Sequence, residues 1–308
     1  MRAYRSFLFL PLLSALSGMT ALEAQDGFRP NIKPSLAITR AAGPIAIDGE
    51  LGDPGWAGAA RAMNFAEVSP RESVRPEVET EVWITYDAAI LYVAFIAKDD
   101  PRSVRSSLTD RDAMYQDDYI GILLDTYGDA SWAYHLFANP KGIQGDQRFS
   151  AGRGEDSRFD IIYTSDGKLT ADGYVVEMAI PFASLRFPDR PVQIWRAIFW
   201  RNRPRSSEQE ITWAVTRRGD PCNLCQYGTL TGIEGIKPGG ALELIPAAVA
   251  TQSGALDDDD DPASGFRNGK VDSDLHSPRS IRSNRVSPPK PRSIPTSAKW
   301  SPMPPRWT

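Results

Sequence analysis

Two pairs of adjacent carboxylates, Asp99–Asp100 and Asp117–Asp118, are the side chains best suited by type to acid–base chemistry. Hydrolysis of that kind needs two carboxylates facing one another across a cleft. Acids adjacent in sequence in so acidic a chain read instead as solvated turns. A Ser-His-Asp arrangement needs a histidine beside an activated serine, and only His135 and His276 are present. His135 falls in the middle of an apolar run, and no serine carries a nucleophile motif. The Gly152-Arg153-Gly154 loop lacks the flanking strand and helix of a phosphate site. No catalytic residue is assigned on these grounds. The two cysteines, Cys222 and Cys225, are three positions apart. In a reducing compartment that spacing suits dithiol redox chemistry or half a zinc site. Behind an export signal it suits a small structural disulfide, which is the expectation here. Zinc lacks further ligands, so no metal site is expected. The run Asp257 to Asp261 reads as a flexible solvated loop. No cofactor is expected, and calcium at that run is the one ion the composition leaves open.

The elements that must position any site are strands. Val82, Ile84 and Tyr86 share one face of a period-2 pattern, Asp87-Ala88-Ala89 turns the chain, and Ile90 to Ala97 returns almost wholly apolar. Tyr119 to Asp125 is a third such run. The second and third are apolar on both faces, which places them centrally in a sheet covered on both sides. Further strands are expected at 37–47, 64–68, 132–139, 173–180, 193–200 and 210–215, with Trp56 tucked under the Asp48–Gly55 turn as a core plug. No stretch sustains helical periodicity. Many short strands between turns predict an all-β, antiparallel β-sandwich.

Composition bounds the rest. Met1 to Ala24 has two early arginines, an apolar stretch and small residues before Gln25, and reads as a signal peptide (1–24), which implies an exported protein. A polar leader (25–36) and the sandwich (37–236) follow. Residues 25–274 hold 26 basic and 38 acidic side chains, a net of −12, which argues against nucleic acid as a partner. Residues 237–275 contain two strand-like runs, 242–250 and 269–275, around the acidic loop. Residues 276–308 hold eight prolines, seven serines and seven basic residues, a composition that predicts a disordered tail.

Ile47-Asp48-Gly49-Glu50 with Trp56, Trp83-Ile84-Thr85-Tyr86-Asp87, Asp117 to Asp125, and Gly173 to Pro181 together resemble the successive signatures of family 9 carbohydrate-binding modules. The likeness runs from about Ile38 to Ile233 and implies a jelly-roll-like module. Asn139 to Asp146, Ser184-Leu185-Arg186-Phe187 and Trp200-Arg201-Asn202-Arg203 resemble, more narrowly, a bacterial outer-membrane family in which such a module precedes a C-terminal β-barrel. That resemblance implies a periplasmic or outer-membrane location, and makes 237–275 the start of a barrel. The basic tail then stands where barrel sequence should continue, as a shortened gene or a shifted reading frame would produce.

The resemblance also implies a ligand. Sugars offer CH faces and a ring of hydroxyls, so their sites need flat aromatics and planar polar side chains. Tyr115, Trp132, Tyr134 and Tyr227 are candidate faces, and Gln116, Asp118, Gln147 and Arg148 candidate hydrogen-bonding partners. The family's site is a sandwich of two Trp rings, which maps onto Tyr115 and the neighbourhood of Pro221, where no Trp stands. Its acid maps onto Gly121. The expected function is non-catalytic binding of a glycan or similar surface ligand by a monomer, in the setting of polysaccharide breakdown. The rival is a structural domain serving an outer-membrane barrel. If there is any enzymatic link, it is as an accessory to a glycoside hydrolase.

Overall fold

The computed structural model describes residues 27–239, 247–258, 260–261 and 263–276. The signal peptide, the start of the leader, and 277–308 of the basic tail lie outside the described residues. These fall into two compact units, one ending at Gly239 and the other beginning at Gly240.

The described residues of the first unit form fourteen strands. In chain order they begin with β1 (Ser35–Ala37), β2 (Ala60–Ala62), β3 (Ala66–Ser69), β4 (Thr80–Tyr86) and β5 (Ile90–Lys98). Next come β6 (Tyr119–Asp125), β7 (Trp132–Ala138), β8 (Gln144–Ser150), β9 (Gly154–Asp156) and β10 (Thr164–Thr170). The last four are β11 (Gly173–Pro181), β12 (Val192–Pro204), β13 (Glu208–Thr212) and β14 (Gly228–Glu234). The larger sheet has the order β1-β14-β12-β6-β7-β8-β9, with β13 beside the far end of β12 and β3 beyond it. The smaller has the order β10-β11-β5-β4-β2. Strand pairs are antiparallel except β1 with β14.

This is the antiparallel sandwich that the alternation implies. The three runs read as one central block divide between the sheets, however: β4 and β5 lie in the smaller, β6 in the larger. The Asp87 carboxylate accepts from the backbone N–H groups of Ala89 and Ile90 at 2.7 and 2.8 Å, tightening the β4–β5 turn. Between the sheets, Val82, Ile84, Leu91, Val93 and Phe95 pack against Ile120, Ile122, Leu136 and Phe199. Phe95 and Phe199 meet edge to face at 6.1 Å. Each such side chain, fully buried, contributes about 1.5–3 kcal/mol relative to exposure.

Trp56 is buried, but in a second, smaller core on the opposite side of the smaller sheet, with Tyr92, Ala94 and Ala179. Its indole N–H donates to Glu177 at 2.9 Å, and the same carboxylate accepts from the backbone of Asp48 and Gly49. The Ile45–Trp56 segment thus covers that sheet rather than plugging the main core, and the strand expected over 37–47 shrinks to Ser35–Ala37. Strands β2, β8, β9, β10 and β14 are not among the expected runs. β8 and β10 are rich in Gln, Asp, Lys and Thr, because one lies next to an edge of its sheet and the other forms one.

Among its described residues the second unit contains one antiparallel hairpin, β15 (Ala247–Leu256) and β16 (Phe266–His276). Both strands run further toward the acidic turn than the sequence suggests. That turn is closed by Asp257 N–H to Gly265 O at 3.0 Å and by an Asp257–Arg267 ion pair at 2.7 Å. Among the described residues no helix is long and apolar enough to cross a membrane.

Candidate functional site

Alternation along β12 sends its side chains to two different environments. Trp195, Ala197, Phe199 and Arg201 point between the sheets, and Ile198, Trp200 and Asn202 point outward from the larger sheet. Pairing across β13, β12, β6, β7 and β8 lines up the outward residues in rows. One row is Glu210–Asn202–Tyr119. The next is Thr212–Trp200–Gly121–Phe137–Gly145, and the third is Ile198–Leu123–His135–Gln147.

The two glycines of the middle row let aromatic rings lie down on the sheet. A Cβ on Gly121 would stand 2.3 Å from the Phe137 ring, and one on Gly145 would stand 2.7 Å from the Tyr115 hydroxyl. Phe137 therefore fills the position to which the family's acid maps. Tyr115, Tyr119 and Phe137 form a mutually edge-on triad, with centroids 5.6, 6.1 and 5.4 Å apart. Tyr115 and Tyr119 stay half-buried. Burial, with nearby carboxylates adding to it, pushes both phenols well above their usual range, so both are neutral hydroxyls.

His135 anchors the next row. It stacks on Phe149 at 5.6 Å, its Nδ1 is 3.4 Å from Gln147 Nε2, and its Nε2 is 3.4 Å from the Tyr227 hydroxyl. Burial pushes the ring's pKa down to about 3, so it is a neutral imidazole. With Gln147 donating to Nδ1, the proton sits on Nε2 and is donated to Tyr227. Tyr227 is placed by the segment that the Cys222–Cys225 disulfide closes. There Leu224 is buried and Gln226 Oε1 accepts from Arg217 N–H at 2.7 Å.

Beside these rings lie polar atoms with nothing to bind. Asn202 is 1% exposed, and neither its amide oxygen nor its nitrogen has a hydrogen-bond partner. The Trp200 indole N–H is buried and unpartnered as well. Leaving such a group unpaired typically costs about 1–3 kcal/mol.

The eight candidate binding residues separate accordingly, with Tyr227 buried against His135. Tyr115 and Gln147 belong to this outer face, and Gln116 is exposed in the turn before β6. Trp132, Tyr134 and Arg148 have the opposite parity and face the interior, where Trp132 and Tyr134 pack with the main core. Trp132 meets Tyr134 edge-on at 4.7 Å, the Tyr134 hydroxyl accepts from Arg186 N–H at 2.8 Å, and Arg148 lies over Phe159. Asp118 is fully buried and held by Arg205 at 2.9 Å and by the Arg105 N–H at 2.8 Å. Asp99 accepts from Arg201, Arg203 and Arg205, and Asp117 from Ser107 and Asn139. Three of the four paired acids are thus structural. Sequence reasoning missed Tyr119, Phe137, Trp200, Asn202 and His135 as one surface. The alternation in Trp200-Arg201-Asn202-Arg203 was the available signal, since it sets Trp200 and Asn202 opposite the arginines.

Two other places in the first unit gather polar side chains. Asp112, Asp146 and Asp160 approach one another, but Arg111 Nε already donates to Asp146 at 2.9 Å. A cavity of about 420 Å³ on the outside of the smaller sheet is walled by the Lys98–Asp172 and Lys168–Glu50 ion pairs, whose charges cancel within it.

A family profile described as carbohydrate family 9 binding domain-like matches residues 47–222. Among solved structures, a family 9 carbohydrate-binding module from Caldicellulosiruptor kristjanssonii in complex with cellotriose is 21% identical, with a TM-score of 0.47, covering 66% of this chain and 94% of that one. A putative carbohydrate-binding protein from Bacteroides uniformis is 14% identical, with a TM-score of 0.51, covering 66% of this chain and 99% of that one. That second likeness is one of fold. No curated protein matches this chain.

Proposed function

This chain belongs to the carbohydrate family 9 binding domain-like family, and on that premise we propose that it binds a glycan, without catalysis, on the outer face of its larger sheet. The observation that carries the reading is the juxtaposition of the Tyr115–Tyr119–Phe137 triad with the unpartnered Asn202 amide and Trp200 indole N–H. Aromatic rings suit the CH face of a pyranose, and amide and indole groups suit its hydroxyls. The adjacent acids are spent on arginines and backbone, which supports a binding rather than a hydrolytic role. Export to the periplasm or outer membrane, a monomeric state, and a setting in polysaccharide breakdown complete the proposal.

A second reading, a domain that serves an outer-membrane barrel, is favoured by one feature. β15 and β16 have 10 and 11 residues, about the 9–11 that a tilted membrane strand needs. A glycan array with the full chain separates the two readings. Binding of a defined glycan is expected, and Tyr115→Ala should weaken it by about 1 kcal/mol or more in titration calorimetry. Binding to no glycan would favour the barrel reading, and affinity unchanged by Tyr115→Ala would move the site elsewhere.

A further inference from the structure

We propose that the end of the outer face formed by Glu208, Glu210, Asn202 and Tyr119 receives a sugar residue bearing a protonated amine, so that hexosamine glycans are preferred over neutral or acidic ones. The inference rests on the glycan-binding reading and narrows it to a substrate class.

Glu208 lies opposite Pro204, and Glu210 opposite Asn202, so both carboxylates share the face of Asn202 and Tyr119. Among the described residues neither has an ion pair or a hydrogen bond. The cation acting on Glu210 is Arg218, whose guanidinium is turned to the Val68 carbonyl at 3.4 Å. The charged groups acting on Tyr119 are Glu208, Glu210 and Glu155, all negative. Two neighbouring carboxylates without an ion pair raise one another's cost of ionisation, and burial, then Glu208, pushes the Glu210 carboxyl up against the pull of Arg218. Elsewhere in this molecule buried acids have donors, arginines at Asp99 and Asp118, and backbone N–H groups and the Trp56 indole at Glu177.

Between the acids and the aromatic triad sits the Asn202 amide, almost wholly buried and unpartnered at both atoms. That is a second observation, independent of charge, that the face is built for a polar guest. An ammonium group would relieve the repulsion between the two acids and lie against the Tyr119 ring. Adjoining hydroxyls would find the Asn202 oxygen and nitrogen and the Trp200 N–H. A uronate would meet three carboxylates and be repelled. Two carboxylates alone are few for a divalent cation, which takes six or more oxygens.

The test uses the full chain and three oligosaccharides of equal length: glucosamine, N-acetylglucosamine and glucose oligomers. Titration calorimetry is run at a pH where the amine is protonated. The glucosamine oligomer should bind about tenfold or more tightly than the other two, and added salt should shrink that ratio. The paired substitution Glu208→Gln, Glu210→Gln, isosteric and on a short outer strand, should bring the ratio near one. Glu208→Gln alone, at an exposed position, should lower it part of the way. Binding of the neutral oligomers with no preference for the amine overturns this inference and leaves the glycan reading standing. A preference that disappears in chelator assigns the carboxylates to a metal ion and also overturns it. Binding of none of the three also overturns this inference, and the glycan array then decides the glycan reading by itself.

Discussion

Arg201 and Asn202 are neighbours in sequence, both almost completely buried, and opposite in every other respect. Arg201 faces the interior, where its terminal nitrogens donate to Glu79 O, Thr80 Oγ1, Lys98 O and Asp99 Oδ2. Only its Nε lacks a partner. Asn202 faces outward and has no partner at all. The interior polar cluster is close to saturated: Asp99 alone accepts from three arginines. A saturated network stabilises the fold and offers nothing to a ligand. An unsaturated one costs stability and leaves hydrogen-bonding capacity for something outside the chain. The contrast separates Arg201 from Asn202 more sharply than burial does, since the two are almost equally buried.

The strongest way to break the comparison is on the interior side. Asp99→Ala leaves Arg201 and Arg203 without their shared carboxylate and should destabilise the protein by about 3–5 kcal/mol in urea unfolding. A loss below about 1 kcal/mol would mean that the cluster is not the structural element described here.

Next in size is an effect of acid on the outer face. His135 titrates near 6.5 when unfolded and at about 3 when folded, because burial disfavours its charged form. Its folded pKa is depressed, so the unfolded chain binds the extra proton over that interval and stability falls as pH drops through it. The loss should reach roughly 3 kcal/mol by about pH 4. Asp99 acts in a different window. Burial pushes its carboxyl up, but the bonds from Arg203, Arg201 and Arg205 prevail and hold it below its ordinary 3.8. Its contribution is therefore complete above that value and lost only as pH falls further. Unfolding free energies for wild type and His135→Gln, compared across pH, should differ in slope between about 6.5 and 4 and run parallel above. Equal slopes would remove His135 as the origin.

The smallest effect sharpens the comparison most. Asn202→Leu removes two unpartnered polar atoms while keeping the volume, and should stabilise the folded protein by about 1 kcal/mol while lowering glycan affinity. A destabilised variant would show that the amide has a structural role after all.

How much of this was legible beforehand follows from the range of the forces involved. Strands β5 and β6 are apolar on both faces, β11 alternates, and the Asp87 turn carries its own hydrogen-bonding side chain. Periodicity over a few residues was enough to find them and to imply an antiparallel sandwich. Edge and near-edge strands such as β8 and β10 bury little, so their sequences carry little apolar signal. The candidate aromatics could be chosen by type but not by side. Trp132 and Tyr134 share a face within one strand, which local alternation shows. That this face is the inner one, while Tyr115 lies over Gly145 on the outer, depends on which strands pair and in which register. Register is decided by contacts between residues far apart in the chain: Asn202 stands opposite Tyr119 on one flank and Glu210 on the other. The sequence by itself determined the strands, their turns and the acidic character of the mature chain, because these depend on neighbours within a few residues. Which polar groups are satisfied and which are left open was decided only by the tertiary structure, since a side chain's partners are brought to it by the pairing of distant strands.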